Sequence, residues 1–148
     1  MARVSLLDVN VLVALFDPDH VHHDLAHDWF ADHRALGWAT CALTENGFVR
    51  VVSNPKYQPD APRPAAANAQ LRQFCASGHH HFWSDAISIR DESLFSLGAA
   101  GGHRQLTDVY LLGLAKKMGG ALVTFDRTIP LTAVKGARTD HLAVISPA

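Results

Sequence analysis

Short apolar runs alternate with longer segments of helical spacing along the whole chain, and this alternation restricts the architecture more than any other feature. Residues 4–7, 37–40, 81–83, 121–125 and 142–145 are runs of strand length. Between them, residues 9–16, 22–35, 42–52, 65–76 and 105–118 carry helical spacing. Asp17-Pro18-Asp19 stops the first of these, and Gly119-Gly120 stops the last. Leu25, Trp29 and Leu36, with Phe30 beside them, give the second its apolar stripe. Strands that alternate with helices predict an α/β fold, with a parallel sheet covered on both faces.

One stretch interrupts the pattern. Residues 54–64 hold Pro55, Pro59, Pro62 and Pro64, which exclude a helix or a central strand there. The stretch reads as a surface loop between two helices, because neither flank is long enough for a core of its own. A single domain over 1–148 is therefore expected. At 148 residues with 48% apolar and 18% charged content, the chain can fold without a disulfide or metal staple. Its longest apolar run, residues 11–16, is too short for a membrane span. The first residues do not resemble a secretory signal. Cys41 and Cys75 fit no metal or redox spacing and read as reduced thiols, so a cytoplasmic protein with no membrane partner is expected. A net charge of −1 argues against a chain that coats nucleic acid by bulk charge. It does not exclude an enzyme that handles nucleic acid locally.

Four acids occupy special places in this pattern. Asp8 ends the first strand, Glu45 lies near the start of a helix, Asp108 opens the helix ending at Gly119, and Asp126 follows the fourth strand. In an open parallel sheet, strand C-termini and the following helix N-termini share one edge, where sites form. Taken singly, each acid also fits a dipole partner, a cap or a turn residue. Together they would repel. Two carboxylates about 4 Å apart cost roughly 4 kcal/mol at an effective dielectric of 20, and a helix N-terminus returns only about 0.3–1 kcal/mol. The remainder calls for protonation or a cation, and an all-oxygen set suits hard Mg²⁺ or Mn²⁺. Such sites serve phosphoryl chemistry.

These residues also resemble a known family. Leu6-Leu7-Asp8-Val9-Asn10-Val11-Leu12 is similar to the opening motif of PIN-domain ribonucleases. Thr44-Glu45-Asn46-Gly47-Phe48 sits where the second acid is expected. The segments Gly102 to Leu112 and Leu122 to Arg127 resemble those carrying the third and fourth acids. With Phe82-Trp83 before the third motif, the whole pattern resembles VapC toxins of bacterial type II toxin–antitoxin pairs. The resemblance implies a PIN-like three-layer α/β/α sandwich with a central parallel sheet of about five strands. It implies a Mg²⁺- or Mn²⁺-dependent endoribonuclease, a homodimer, and a cognate VapB-type antitoxin that occupies the groove. Asp8 and Asp108 would then be direct metal ligands. Asp126 would complete the site directly or through water, and Glu45 would bind metal or orient the attacking water.

Secondary candidates surround the acids. Asn10 could hold a carboxylate or a metal-bound water, or cap its helix. Thr107 could hydrogen-bond a ligand acid or serve as the cap before Asp108, and Thr124 is a similar case on thinner grounds. Arg104 and Arg127 could meet an RNA phosphate, or be solvated surface residues. His23 and His27, four apart, could share one helix face around a transition metal. The His79-His80-His81 run reads as solvated surface. Trp29, Trp38, Trp83, Phe30, Phe48 and Phe82 read as core. The Leu106, Tyr110, Leu114 and Leu111, Ala115, Met118 rows read as core or dimer interface. Asp8-Val9-Asn10 also faintly resembles the opening of haloacid-dehalogenase-type phosphatases, although Asn10 could not serve as their second acid. Two non-nuclease alternatives stand beside these: a catalytically silent PIN-like binding module, and a His-rich metal buffer.

Overall fold

The computed structural model describes residues 3–147. Five strands, β1 (Ser5–Leu7), β2 (Trp38–Cys41), β3 (His80–Trp83), β4 (Ala121–Thr124) and β5 (Leu142–Val144), form one sheet in the order β3-β2-β1-β4-β5. Every pairing is parallel; Ser5 lies between Trp38 and Ala121. Five α-helices accompany it: α1 (Val9–Phe16), α2 (His23–His33), α3 (Ala42–Val52), α4 (Pro64–Cys75) and α5 (Leu106–Lys117).

The period of two along each strand sorts the core into two layers. Leu7, Trp38 and Val123 face a cluster built with Val11, Phe30, Phe48 and Leu71 from α1 to α4. Their neighbours Leu6, Ala39 and Leu122 face the opposite cluster, with Val109, Leu112 and Ala115 of α5. The result is the expected three-layer sandwich. Gly47 belongs to this packing: a Cβ there would come within 2.7 Å of Val9 Cγ2, so glycine lets α3 lie close against α1. Gly119, at φ +73°, ends α5 in the left-handed conformation that glycine adopts without strain.

Several local expectations need correction. Pro64 lies inside α4, as its first residue, a position where the missing N–H costs nothing. Phe82 is 55% exposed, on β3 at the edge of the sheet. Leu106 and Met118, at the two ends of α5, are also exposed, while Leu111, Leu114 and Ala115 are fully buried. The His23 and His27 rings lie 4.4 Å apart but are not arranged as a ligand pair. His23 Nδ1 bonds the Ala14 carbonyl at 2.7 Å, and His27 Nε2 bonds that of Leu15 at 2.8 Å. They satisfy the free carbonyls at the end of α1 and tie α2 to it. Among the described residues no helix is long and apolar enough to cross a membrane.

Candidate active site

The chain order fixes where a site can form. From β1 the chain builds outward through β2 to β3, then returns to place β4 on the other side of β1. The strand order reverses between β1 and β4, and ligands of open parallel sheets bind at the carboxyl ends of strands at such a point. Asp8 directly follows β1, and Asp126 stands two residues beyond β4. Asp108 is the third residue of α5, the helix that leads back into β4.

Asp8 is held most firmly. It is only 7% exposed, and its backbone N–H donates to the Val123 carbonyl at 3.0 Å. Its carboxylate oxygen Oδ2 accepts the hydroxyl proton of Thr124 at 2.8 Å. Thr124 Oγ1 in turn accepts the backbone N–H of Asp126 at 3.0 Å. One fully buried hydroxyl therefore joins the first acid to the backbone of the fourth. Asp126 uses its Oδ1 to accept from the Thr128 N–H at 2.7 Å and the Thr128 hydroxyl at 2.6 Å. That turn leaves Oδ2 outside it.

Charge ties the three aspartates together. Burial pushes the Asp108 carboxyl up to about 7, and the charges of Asp8 and Asp126 push it the same way. Burial also raises Asp8, opposed by the Thr124 hydrogen bond and reinforced by Asp126. A carboxyl raised by burial beside like charges is a candidate functional group, because a bound cation would relieve the repulsion. The residues fit a hard divalent ion: all three donors are oxygens, on separate elements of one sheet edge.

Glu45 stands apart from this group. It lies on the β2 side, and its charge is not among those that shift Asp8 or Asp108. Its Oε2 accepts the Thr40 hydroxyl at 2.7 Å, and the same hydroxyl lies 2.8 Å from His80 Nε2. Among the described residues, the donors of three or more His, Cys, Asp or Glu side chains that all fall within 4.8 Å of one another belong to Glu45, Cys75 and His80. The structure thus brings Asp8, Asp108 and Asp126 into one electrostatic group and sets Glu45 in a different one.

The supporting residues divide as well. Thr107 does not cap α5: it lies inside the helix and is exposed, and Gln105 stands at the cap position. Thr124, given the thinner grounds, makes the bond to a site carboxylate. Asn10 is exposed, and the cap position of α1 is Asp8 itself. Arg104 and Arg127 are exposed near Asp108 and Asp126 in sequence. Sequence reasoning missed the Thr40–Glu45–His80 chain and Cys75's place beside it. Spacing carries no signal for it: the contact rests on the β2–β3 register, in which Trp38 pairs with His80 and Thr40 stands two residues further along β2.

With this geometry the fold and site define a class. The chain belongs to the PIN-domain family, whose model matches residues 5–135. It is similar to several curated ribonucleases of Mycobacterium tuberculosis. Ribonuclease VapC44 (strain ATCC 25618 / H37Rv) is 46% identical over 141 residues, covering 95% of this chain and 99% of that protein. Ribonuclease VapC38 of the same strain is 44% identical over 136 residues, covering 92% and 94%. Ribonuclease VapC39 is 42% identical over 132 residues, covering 89% and 95%. Similarity at this level over nearly full length makes the chain a VapC-type PIN-domain protein. The haloacid-dehalogenase reading is set aside by that membership.

Proposed function

We propose that the protein is a Mg²⁺- or Mn²⁺-dependent endoribonuclease toxin acting as a single-domain subunit in the cytoplasm, paired in a homodimer and neutralised by a VapB-type antitoxin. The observation that carries the nuclease reading is the buried Thr124 hydroxyl, which joins Asp8 to the Asp126 backbone while Asp108 is raised by both acids. A structural cap or turn would not need three mutually repelling carboxylates at a sheet switch point. The names of the similar VapC ribonucleases support RNA as the substrate.

In this reading Asp8, Asp108 and Asp126 would hold the cation. A bound divalent ion supplies a water nucleophile near neutral pH and neutralises charge on the phosphate. Thr124 fixes the orientation of the Asp8 carboxylate through Oδ2, as an outer partner would hold a metal-ligating acid. Glu45 orients the attacking water from the β2 side. Water oxygen adds to phosphorus in line as the P–O3′ bond breaks, leaving a 5′-phosphate and a 3′-hydroxyl. Arg104 and Arg127, exposed beside the acids in sequence, engage the RNA backbone.

The test is cleavage of total bacterial RNA by antitoxin-free protein in Mg²⁺, Mn²⁺ or EDTA, with Asp8→Asn alongside. Discrete metal-dependent cuts that Asp8→Asn abolishes are expected. A folded protein that binds antitoxin tightly but never cleaves RNA would instead establish the silent binding module.

A further inference from the structure

We propose that Glu45, Cys75 and His80 form a second metal site, selective for a borderline-soft divalent cation of the Zn²⁺ type and separate from the aspartate corner. Three donors of three chemical kinds converge from three elements: the first turns of α3, the last residue of α4 and the first residue of β3. Thiolate and imidazole favour zinc-like ions and disfavour Mg²⁺, whereas the aspartate corner offers oxygen alone.

Hydrogen bonding sets the ligand atoms. The single Thr40 proton is donated to Glu45 Oε2. The Thr40 oxygen must then accept at its 2.8 Å contact with His80, which places the imidazole proton on Nε2. In that tautomer Nδ1 carries the ring's lone pair. A histidine ligand whose other nitrogen is fixed by a hydrogen bond is the usual arrangement in metal sites. Thr40 is fully buried, so this outer partner is rigid.

The turn that brings His80 back beside Cys75 is pinned as well. Gly78 at φ +117° and His79 at φ +64° reverse the chain. Trp38 Nε1 donates to the Gly78 carbonyl at 3.0 Å, and the Trp38 backbone N–H donates to that of His79 at 3.0 Å. A left-handed histidine costs energy unless its surroundings hold it. The donors lie within 4.8 Å of one another. Bond lengths of about 2.0–2.3 Å in a tetrahedral zinc site require somewhat closer donors, within reach of side-chain rotation. The three residues line an open cleft of about 680 Å³ together with Asn68, Leu71 and Arg72. That leaves the fourth position for water or an exchangeable ligand.

A consequence rests on the nuclease reading above. Glu45 belongs to both sets, so a cation held by Cys75 and His80 keeps the Glu45 carboxylate away from the attacking water. Zinc then inhibits cleavage through this site.

Co²⁺ alone, added to the full chain, tests the site by its thiolate-to-cobalt charge-transfer absorption. One equivalent with that band is expected. Cys75→Ser should abolish the band, His80→Gln should weaken Co²⁺ binding about tenfold or more, and Asp8→Asn should retain both band and affinity. Thermal unfolding of each variant checks that it is folded. Absence of the band in folded wild type, or its persistence in Cys75→Ser, overturns the site. The second readout is RNA cleavage in Mg²⁺ with added Zn²⁺. Inhibition in wild type that Cys75→Ser relieves supports the coupling; equal inhibition of both overturns it. Wild type that shows the cobalt band but cleaves no RNA in Mg²⁺ without Zn²⁺ would refute the nuclease reading alone.

Discussion

Two regions at one edge of the sheet solve the problem of buried charge differently. At the β1–β4 switch, Asp8, Asp108 and Asp126 act on one another through their charges, and burial with that repulsion pushes Asp108 up to about 7. On the β2–β3 side, Glu45 meets a hydroxyl and stands with a thiol and an imidazole. There the pressure falls on the thiol: burial and the Glu45 charge push Cys75 up to about 11. The first region gathers like charge, which under the proposed function would be met by a hard cation. The second mixes donor types and suits a softer one. Position along a sheet edge therefore says where a site forms, while the neighbours on each strand decide its chemistry.

The largest effect that would sharpen this contrast is at the aspartates. Asp108→Asn or Asp8→Asn should lower metal-dependent cleavage by at least about 10²-fold, since even outer partners of metal ligands are worth about 10–100-fold. Single-turnover rates on a defined RNA measure it; a loss of only a few-fold would move the chemistry away from this corner. Next in size is Thr124→Val, which removes the hydroxyl that orients Asp8. It should cost about 10–100-fold in activity or metal affinity. It should also destabilise the fold by about 1–3 kcal/mol, because Asp8 and the Asp126 N–H lose a buried partner.

A pH dependence follows from the raised carboxyls. Asp108 in the folded chain binds its proton up to about 7, against an ordinary value of 3.8. Between those values the folded state holds more protons than the unfolded state. Stability of the metal-free protein should therefore fall as pH rises through that window, and stay low above it. Asp8 is raised too and contributes with the same sign. Thermal unfolding in EDTA across the window should show the decline, and Asp108→Asn should flatten most of it. A Tm that rises with pH in both proteins would contradict the gathering of charge. The smallest effect concerns the flanking arginines. Arg104→Ala and Arg127→Ala should each reduce the salt slope of RNA binding by about one, the signature of one lost phosphate contact.

Much of the fold was legible because the apolar periods are clean. The expected helices 9–16 and 42–52 match α1 and α3 in full. The placement of Asp8, Asp108 and Asp126 was legible too, since strand ends and helix starts follow from those periods. What the sequence concealed is side-chain direction. Thr107 and Thr124 both stand near an acid, yet only Thr124 points into the core layer between strands and reaches Asp8. Glu45 shares an edge with the aspartates, but its Oε2 accepts from Thr40, which also meets His80 through a register between β2 and β3 that spacing does not reveal. Cys75 and His80 lie only five apart, but a strained turn brings them together.

The most direct test of the aspartate corner is Mn²⁺ binding by electron paramagnetic resonance, on wild type, Asp108→Asn and Cys75→Ser, with RNA cleavage assayed on the same samples. Mn²⁺ bound by wild type and Cys75→Ser but lost from folded Asp108→Asn, together with cleavage, is the result predicted here. Mn²⁺ that stays bound, and RNA that is still cut, in Asp108→Asn would contradict it.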